Sequence, residues 1–81
     1  MKLSVKLFAA ARELAGRGEI ELDLPVGATV GTLRKELCAA SPQLTPLAER
    51  SMIAVNEEYR VDSTQVNDGD VAALIPPVSG G

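Results

Sequence analysis

The sequence predicts an α+β domain in which a mixed sheet of four to five strands carries one principal helix on one face. The chain has 81 residues, which is enough for one domain with a single hydrophobic core. Hydrophobic residues make up 46% of the chain and charged residues 23%, as is typical of a soluble globular protein. Several segments alternate between apolar and polar residues as strands do, and one segment has the spacing of an amphipathic helix.

Two strands are predicted at the start of the chain. Residues 2–7 alternate between polar and apolar side chains, which is the period of a strand with one face on a core. Residues 8–15 are rich in helix formers and predict a short helical or irregular connection that stops at Gly16. The alternation resumes at residues 19–24, and Pro25 ends this second strand because proline has no N–H to donate to a ladder.

The principal helix is predicted to begin after Thr29, whose hydroxyl can cap the first turn. Val30, Leu33 and Leu37 recur at helical spacing, and the helix should end by Pro42. Because this pattern is amphipathic, we expect the leucine stripe to pack on the sheet. The opposite face of the helix carries Arg34, Lys35 and Glu36.

The next segment predicts a loop followed by a hairpin. Residues 42–50 contain two prolines and predict a loop, with a possible turn at residues 47–49. Residues 52–55 predict a third strand. Asn56 tolerates the left-handed region and so favours a turn, from which residues 59–61 return as a short fourth strand.

The last strand decides the predicted topology. Residues 67–70 are a dense turn signal ahead of the continuous apolar run at residues 71–75, which predicts a buried strand. Such a strand suits the middle of a sheet, and we expect it to lie parallel to the first strand with the helix crossing one face. This order is the β-grasp arrangement, with residues 1–75 as the domain and residues 76–81 as a flexible C-terminal tail.

The composition argues against several classes of function. Eight basic and eleven acidic residues give a net charge of −3, which is unfavourable for binding nucleic acid. With no histidine and one cysteine, the chain cannot form an internal disulfide, the usual zinc sites or a Ser-His or Cys-His nucleophile pair. It is therefore a weak candidate for a complete enzyme. Because no long apolar segment or export signal is visible, we expect a cytoplasmic protein that is not bound to a membrane.

The predicted tail is the best candidate for chemistry. It reads Pro76-Pro77-Val78-Ser79-Gly80-Gly81, and six extended residues can reach roughly 20 Å. The two prolines favour a stiff stem, whereas the glycines have no side chain and can enter a narrow channel. We expect the tail to present the Gly81 carboxylate to another protein. The alternative is a frayed terminus, since small flexible residues are common at chain ends.

Motifs spread over nearly the whole chain resemble one family. These motifs are Leu7-Phe8-Ala9 with Arg12-Glu13-Leu14, then Ala54-Val55-Asn56, Asp68-Gly69-Asp70-Val71 and the final Pro-Pro-Val-Ser-Gly-Gly. In them the sequence resembles the small, sulfur-carrying subunit of molybdopterin synthase, the MoaD family of ubiquitin-like proteins. All ubiquitin-like carriers share the Gly-Gly, but its combination with Asp-Gly-Asp and the Pro-Pro-Val-Ser stem is typical of this subfamily.

The resemblance implies a sulfur carrier in molybdenum cofactor biosynthesis. In the family, an E1-like adenylyltransferase uses ATP to adenylate the carboxylate that corresponds to Gly81, and sulfur from a donor enzyme then replaces AMP to leave a thiocarboxylate. Gly80 and Gly81 would enter the large subunit of a heterotetramer of two large and two small subunits, where sulfur passes to precursor Z, a cyclic pyranopterin monophosphate. No tightly bound cofactor is expected, because ATP acts through the partner enzyme and sulfur is carried covalently on Gly81. The chain would donate sulfur without being catalytic alone.

The resemblance also implies a surface that binds these partners, and it includes the only two aromatic residues of the chain. The implied contact residues are Phe8, Arg12, Tyr59, Ile75, Pro76, Pro77, Val78 and Ser79. Phe8 and Ile75 have a simpler interpretation as core residues, and Arg12 as a solvated charge. Cys38 is most simply a small packing residue. The acidic pairs Glu19/Glu21 and Glu57/Glu58 are expected to be solvated.

Two other functions stay open from the sequence. A sulfur carrier for another pathway, such as thiamine thiazole synthesis, cysteine synthesis or tRNA thiolation, would share the fold and the Gly-Gly chemistry. A ubiquitin-like interaction module would bind a partner through the sheet and leave its tail inert. The Pro-Pro-Val-Ser stem favours the molybdopterin pathway over the first of these.

Overall fold

The computed structural model describes residues 1–77, which form five strands and three short α-helices. The strands are β1 (Lys2–Leu7), β2 (Glu19–Asp23), β3 (Met52–Val55), β4 (Glu58–Arg60) and β5 (Val71–Ile75). The α-helices are α1 (Ala9–Ala15), α2 (Val30–Ala40) and α3 (Thr45–Ala48), and a 3-10 helix, Pro42–Leu44, precedes α3. Within this described part, no helix is both long and apolar enough to cross a membrane.

All five strands form one mixed sheet in the order β2-β1-β5-β3-β4. Strand β5 lies in the middle, parallel to β1 and antiparallel to β3. The hairpins β1/β2 and β3/β4 are antiparallel. The predicted β-grasp topology is therefore confirmed, including the parallel pairing of the first and last strands.

Helix α2 packs its apolar stripe on the sheet as predicted. The Thr29 hydroxyl accepts a hydrogen bond from the Thr32 amide, and the Thr32 hydroxyl accepts one from the Thr29 amide, which completes a capping box. Val30, Leu33 and Leu37 are fully buried. The helix thus begins where the sequence predicts and supplies the main cover of one sheet face.

The predicted loop at residues 42–50 is wrong for most of its length. It contains the 3-10 helix and α3, and Leu44 and Ala48 are fully buried in the core. Both elements carry proline in their first turn, where its missing N–H costs nothing and its fixed φ angle favours a helix. Pro42 begins the 3-10 helix and Pro46 is the second residue of α3, so both prolines favour a helical turn where the sequence predicts a loop.

Arg34 also differs from its expected place on the charged outer face of α2. Its guanidinium donates hydrogen bonds to the backbone carbonyls of Ala48 and Ser51 and forms an ion pair with Asp62 at 2.9 Å. The side chain is only 19% exposed. Arg34 therefore ties α2 to the segment after α3 and to the loop after β4.

Strand β5 is central but not buried on both faces. Ala72 and Leu74 are fully buried, while Val71 on the other face is 40% exposed and Ala73 and Ile75 are half-buried. The continuous apolar run correctly predicted a central strand. Its prediction as a buried strand is wrong for one face, because the helices cover only the other.

Candidate functional site

The open face of the sheet, on the side opposite α2, is divided into a charged half on β1 and β2, with Lys6, Glu19 and Glu21, and an apolar half on the other strands. Residues paired across neighbouring strands point to the same side of a sheet, so the strand register shows which side chains share this face. One row runs through all five strands, through Glu19, Lys6, Ala73, Ala54 and Tyr59 in turn. The two flanking rows contain Glu21, Ser4 and Val71 on one side and Ile75 and Met52 on the other.

The apolar half consists of the open-face residues of β5, β3 and β4 together with Phe8. Its large side chains are strongly exposed: Phe8 by 49%, Met52 by 56%, Tyr59 by 60% and Val71 by 40%. Ala54, Ala73 and Ile75 lie between them and are half-buried. Such a group of exposed apolar side chains on a rigid sheet is typical of a protein–protein contact.

A groove of about 580 Å³ lies on this face, beside the middle strand. It is lined by Lys6, Phe8, Asn56, Glu57, Val71 and Ala73. Val71 and Ala73 belong to β5, Lys6 belongs to the neighbouring β1, and Phe8 follows β1 directly. The groove therefore combines an apolar strand and an aromatic ring with two opposite charges from different elements.

The remaining lining residues, Asn56 and Glu57, form the two-residue turn between β3 and β4. The Asn56 amide donates to the Val71 carbonyl at 2.8 Å, and the Val71 amide donates to Asn56 Oδ1 at 3.1 Å. Asn56 Nδ2 also donates to Asp70 Oδ1 at 3.0 Å. These bonds attach the turn firmly to the start of β5.

The structure brings together three of the residues implied as partner contacts. Phe8 lines the groove, Tyr59 lies on the same face, and Ile75 is half-buried beside Met52. The interpretation of Phe8 as a core residue is wrong, because half of its surface is exposed. Arg12 is exposed, but its guanidinium lies over Gly18 and does not line the groove.

The predicted tail is described only at its beginning. Pro76 is half-buried and Pro77 is exposed. Val78, Ser79, Gly80 and Gly81 lie outside the described residues, so their predicted roles stay predictions.

Sequence reasoning missed several groove residues. The alternation of residues 2–7 indicates Lys6, because it places the Lys6 side chain on the exposed face of the strand and Leu7 on the buried face. The sequence predicts Asn56 as a turn residue within the Ala54-Val55-Asn56 motif and Glu57 as a solvated acid, and it assigns neither of them to a contact surface. Val71 and Ala73 were assigned to a buried strand, and no local pattern distinguishes which face of an all-apolar strand stays open.

The other reactive groups have the simpler roles that the sequence predicts. Cys38 is partly buried and packs against the core. Glu19 and Glu21 are exposed on β2, and Glu58 pairs with Arg60 at the surface. Within residues 1–77, no group of three or more His, Cys, Asp or Glu side chains is placed to hold a metal ion.

Comparison with protein families and curated relatives gives consistent matches over the full chain. The model of the ThiS family matches residues 5–81. A relative from Arabidopsis thaliana is 41% identical over all of this chain and 84% of its own length, and one from Chlamydomonas reinhardtii is 39% identical over the whole of both chains. A relative from Mycobacterium tuberculosis is 35% identical over the whole of this chain and 99% of its own. All three are named molybdopterin synthase sulfur carrier subunit.

Solved structures agree with this fold. SAMP1 from Haloferax volcanii superimposes with a TM-score of 0.90 at 31% identity over the whole of both chains. A Pyrococcus furiosus protein assigned as subunit 1 of a molybdopterin converting factor gives a TM-score of 0.86 at 36% identity, over 96% of this chain and 99% of its own. A protein described as ubiquitin from Caldiarchaeum subterraneum gives 0.68 at 25% identity, over all of this chain and 98% of its own. The β-grasp, ubiquitin-like fold is thus shared with these proteins.

Proposed function

Because this chain belongs to the ThiS family, we propose that it is the sulfur carrier subunit of a molybdopterin synthase. The observation that carries this proposal is the similarity over the full chain to relatives with that name, which reaches 41% identity. The open face adds structural support, since its apolar half is suited to contact with another subunit. The ThiS family name alone would also fit a sulfur carrier of a different pathway, whereas the named relatives favour molybdopterin synthesis.

The chemistry that we propose takes place on the Gly81 carboxylate. A carboxylate is a poor electrophile and has to be activated before sulfur can attack its carbon. In an E1-like enzyme, a carboxylate oxygen of Gly81 would attack the α-phosphorus of ATP, which would release pyrophosphate and give an acyl-adenylate. Hydrosulfide, or its equivalent from a sulfur donor enzyme, would then attack the acyl carbon. The new C–S bond forms while AMP departs with the electron pair of the C–O bond, and a thiocarboxylate remains. The chain needs no catalytic side chain of its own for either step.

The large subunit of the synthase is the proposed partner of the apolar half. Phe8 and Tyr59 are exposed aromatic residues of the type that often dominates binding at the centre of an interface. Strand β5 ends at Ile75, and the half-buried Pro76 follows on the same chain segment. A partner docked on the apolar half would therefore lie next to the segment that leads to Gly81.

Intact-mass measurement tests the proposal most directly. The purified chain is incubated with its E1-like enzyme, ATP and sulfide, and we expect the mass increase that replacement of one carboxylate oxygen by sulfur produces. A variant that lacks Gly81 should acquire no sulfur and should support no molybdopterin formation with the large subunit. Glu36→Gln, on the exposed side of α2, is the control that should behave like the wild type. Molybdopterin formation by the truncated chain would contradict the proposed function.

Protein modification is a second candidate function. It is favoured by the similarity to solved structures named small archaeal modifier protein 1, one of which gives a TM-score of 0.86 at 29% identity over 95% of this chain and 98% of its own. In this case a lysine amine of another protein would displace AMP and form an amide with Gly81. A cell extract with ATP and the E1-like enzyme would then yield covalent conjugates that resist reducing agent. Sulfur loading without such conjugates would exclude this candidate.

A further inference from the structure

The turn between β3 and β4 carries a side chain at a position that favours glycine. Asn56 and Glu57 have φ angles of 50° and 72°, which are the left-handed values of a type I′ turn. The second position of such turns is commonly glycine, because a Cβ is strained there. Elsewhere in residues 1–77, glycine occupies the positive-φ positions except at Ala9, which directly follows Phe8. All of the non-glycine exceptions are therefore at or next to the groove.

Asn56 has a structural reason for its place in the turn, but Glu57 has none. The Asn56 side chain holds both Val71 and Asp70, and asparagine tolerates the left-handed region. Glu57 is exposed, and within residues 1–77 no hydrogen bond or ion pair of its carboxylate is found. Strained residues that the fold does not need are concentrated at sites that contact ligands. The position of Glu57 in the groove wall is consistent with such a contact.

We propose that Glu57 is a specificity-determining residue whose carboxylate pairs with a lysine or arginine of the protein that docks on the open face. The inference rests on the proposed function, since the partner is the large subunit of the synthase. The charges of the groove indicate where a basic side chain of the large subunit would lie. The groove offers the apolar Val71 and Ala73 between the cation Lys6 on β1 and the anion Glu57 on the turn. It fits an apolar side chain of the partner with a basic residue next to it on the Glu57 side.

Binding of the full chain to the large subunit, measured at low and high salt, tests this pairing. Glu57→Gln keeps the shape and the backbone strain but removes the charge, and we expect a loss of affinity of about 3- to 5-fold with a weaker dependence on salt. Glu57→Lys places like charges together and should reduce the affinity about tenfold or more. Glu36→Gln makes the same change of net charge on α2, away from the open face, and should leave the affinity unchanged.

Glu57→Gly separates recognition from folding. Glycine relieves the strain at this φ angle, so the thermal midpoint should rise by about 4 °C, while the affinity should fall as much as in Glu57→Gln. A purely structural residue would give the opposite result, with unchanged or tighter binding. Wild-type affinity in the glycine and glutamine variants would overturn the inference and leave the proposed function intact. A wild-type chain that acquires no sulfur and does not bind the large subunit would overturn both.

Discussion

The two faces of strand β5 carry the same kind of residue in different surroundings. On one face Ala72 and Leu74 are fully buried beneath the helices, and on the other Val71 is 40% exposed. Burial stabilises the fold in proportion to the apolar area removed from water. The exposed apolar area contributes no such energy to folding and is available for binding a partner. The comparison indicates that one strand serves stability with its inner face and recognition with its outer face.

A truncation on the inner face should have the largest effect on stability. Leu74→Ala removes a fully buried side chain from the middle strand, and we expect the free energy of unfolding to fall by about 2–5 kcal/mol. Urea denaturation followed by circular dichroism measures this change. Val71→Ala, on the outer face of the same strand, is the control and should cost less than about 1 kcal/mol. Equal losses for the two variants would contradict the proposed difference between the faces.

A truncation at Phe8, which lines the groove on the open face of the sheet, should weaken binding and leave stability nearly unchanged. Phe8→Ala should weaken binding of the large subunit by about 30-fold, the loss expected for an aromatic residue at the centre of an interface. Its thermal midpoint should change little, because Phe8 is already 49% exposed. Leu14 is exposed to nearly the same extent, 47%, and does not line the groove. Leu14→Ala should therefore bind normally, and an equal loss of affinity would show that Phe8 has no specific role. Isothermal titration calorimetry measures both affinities.

The hydrogen bonds of Arg34, which tie α2 to the end of α3 and the segment after it on the covered side of the sheet, should contribute less to stability than the buried core does. Arg34→Met keeps much of the apolar stem and leaves the carbonyls of Ala48 and Ser51 without their donor, so we expect a loss of about 1–3 kcal/mol in the free energy of unfolding. Lys35→Met, at the exposed neighbouring position, should be close to neutral. Both variants should bind the large subunit with wild-type affinity once folded. A loss of affinity in Arg34→Met alone would show that the hydrogen bonds of Arg34 also affect the conformation of the open face.

The helix cap should give the smallest effect. Thr29→Ala removes the hydroxyl that accepts from the Thr32 amide, and we expect a loss of about 1 kcal/mol in stability. Thr29→Ser retains the hydroxyl and should recover most of this loss. Thermal unfolding of both variants measures the difference. A serine variant as unstable as the alanine variant would argue against the capping bond as the cause.

Much of the secondary structure was predictable because its causes are local. The alternation at residues 2–7 and 19–24, the cap at Thr29 and the turn at Asn56 each correspond to an observed element within one or two residues. The prediction of a loop at residues 42–50 was wrong, because proline favours the first turn of a helix but breaks a helix in its interior. Only knowledge of the packed Leu44 and Ala48 distinguishes the two cases.

The candidate site was less predictable, because its residues are far apart in the sequence. The groove joins Lys6 and Phe8 to Glu57 and Val71, and nothing local at any of these positions indicates the others. The aromatic residues were found through the family resemblance. Glu57 was interpreted as a solvated acid, since its backbone strain and its place in the groove are visible only in three dimensions.

The sequence by itself determined the order of the strands and the principal helix, the central position of the last strand and the family resemblance, because these depend on local periodicity and on motifs read along the chain. The tertiary structure decided which face of β5 the helices cover, which groups bind the Arg34 guanidinium and which residues line the groove. The physical reason is that burial and pairing join segments that are distant in sequence, as in the ion pair between Arg34 and Asp62. An apolar strand has two equivalent faces until such contacts cover one of them.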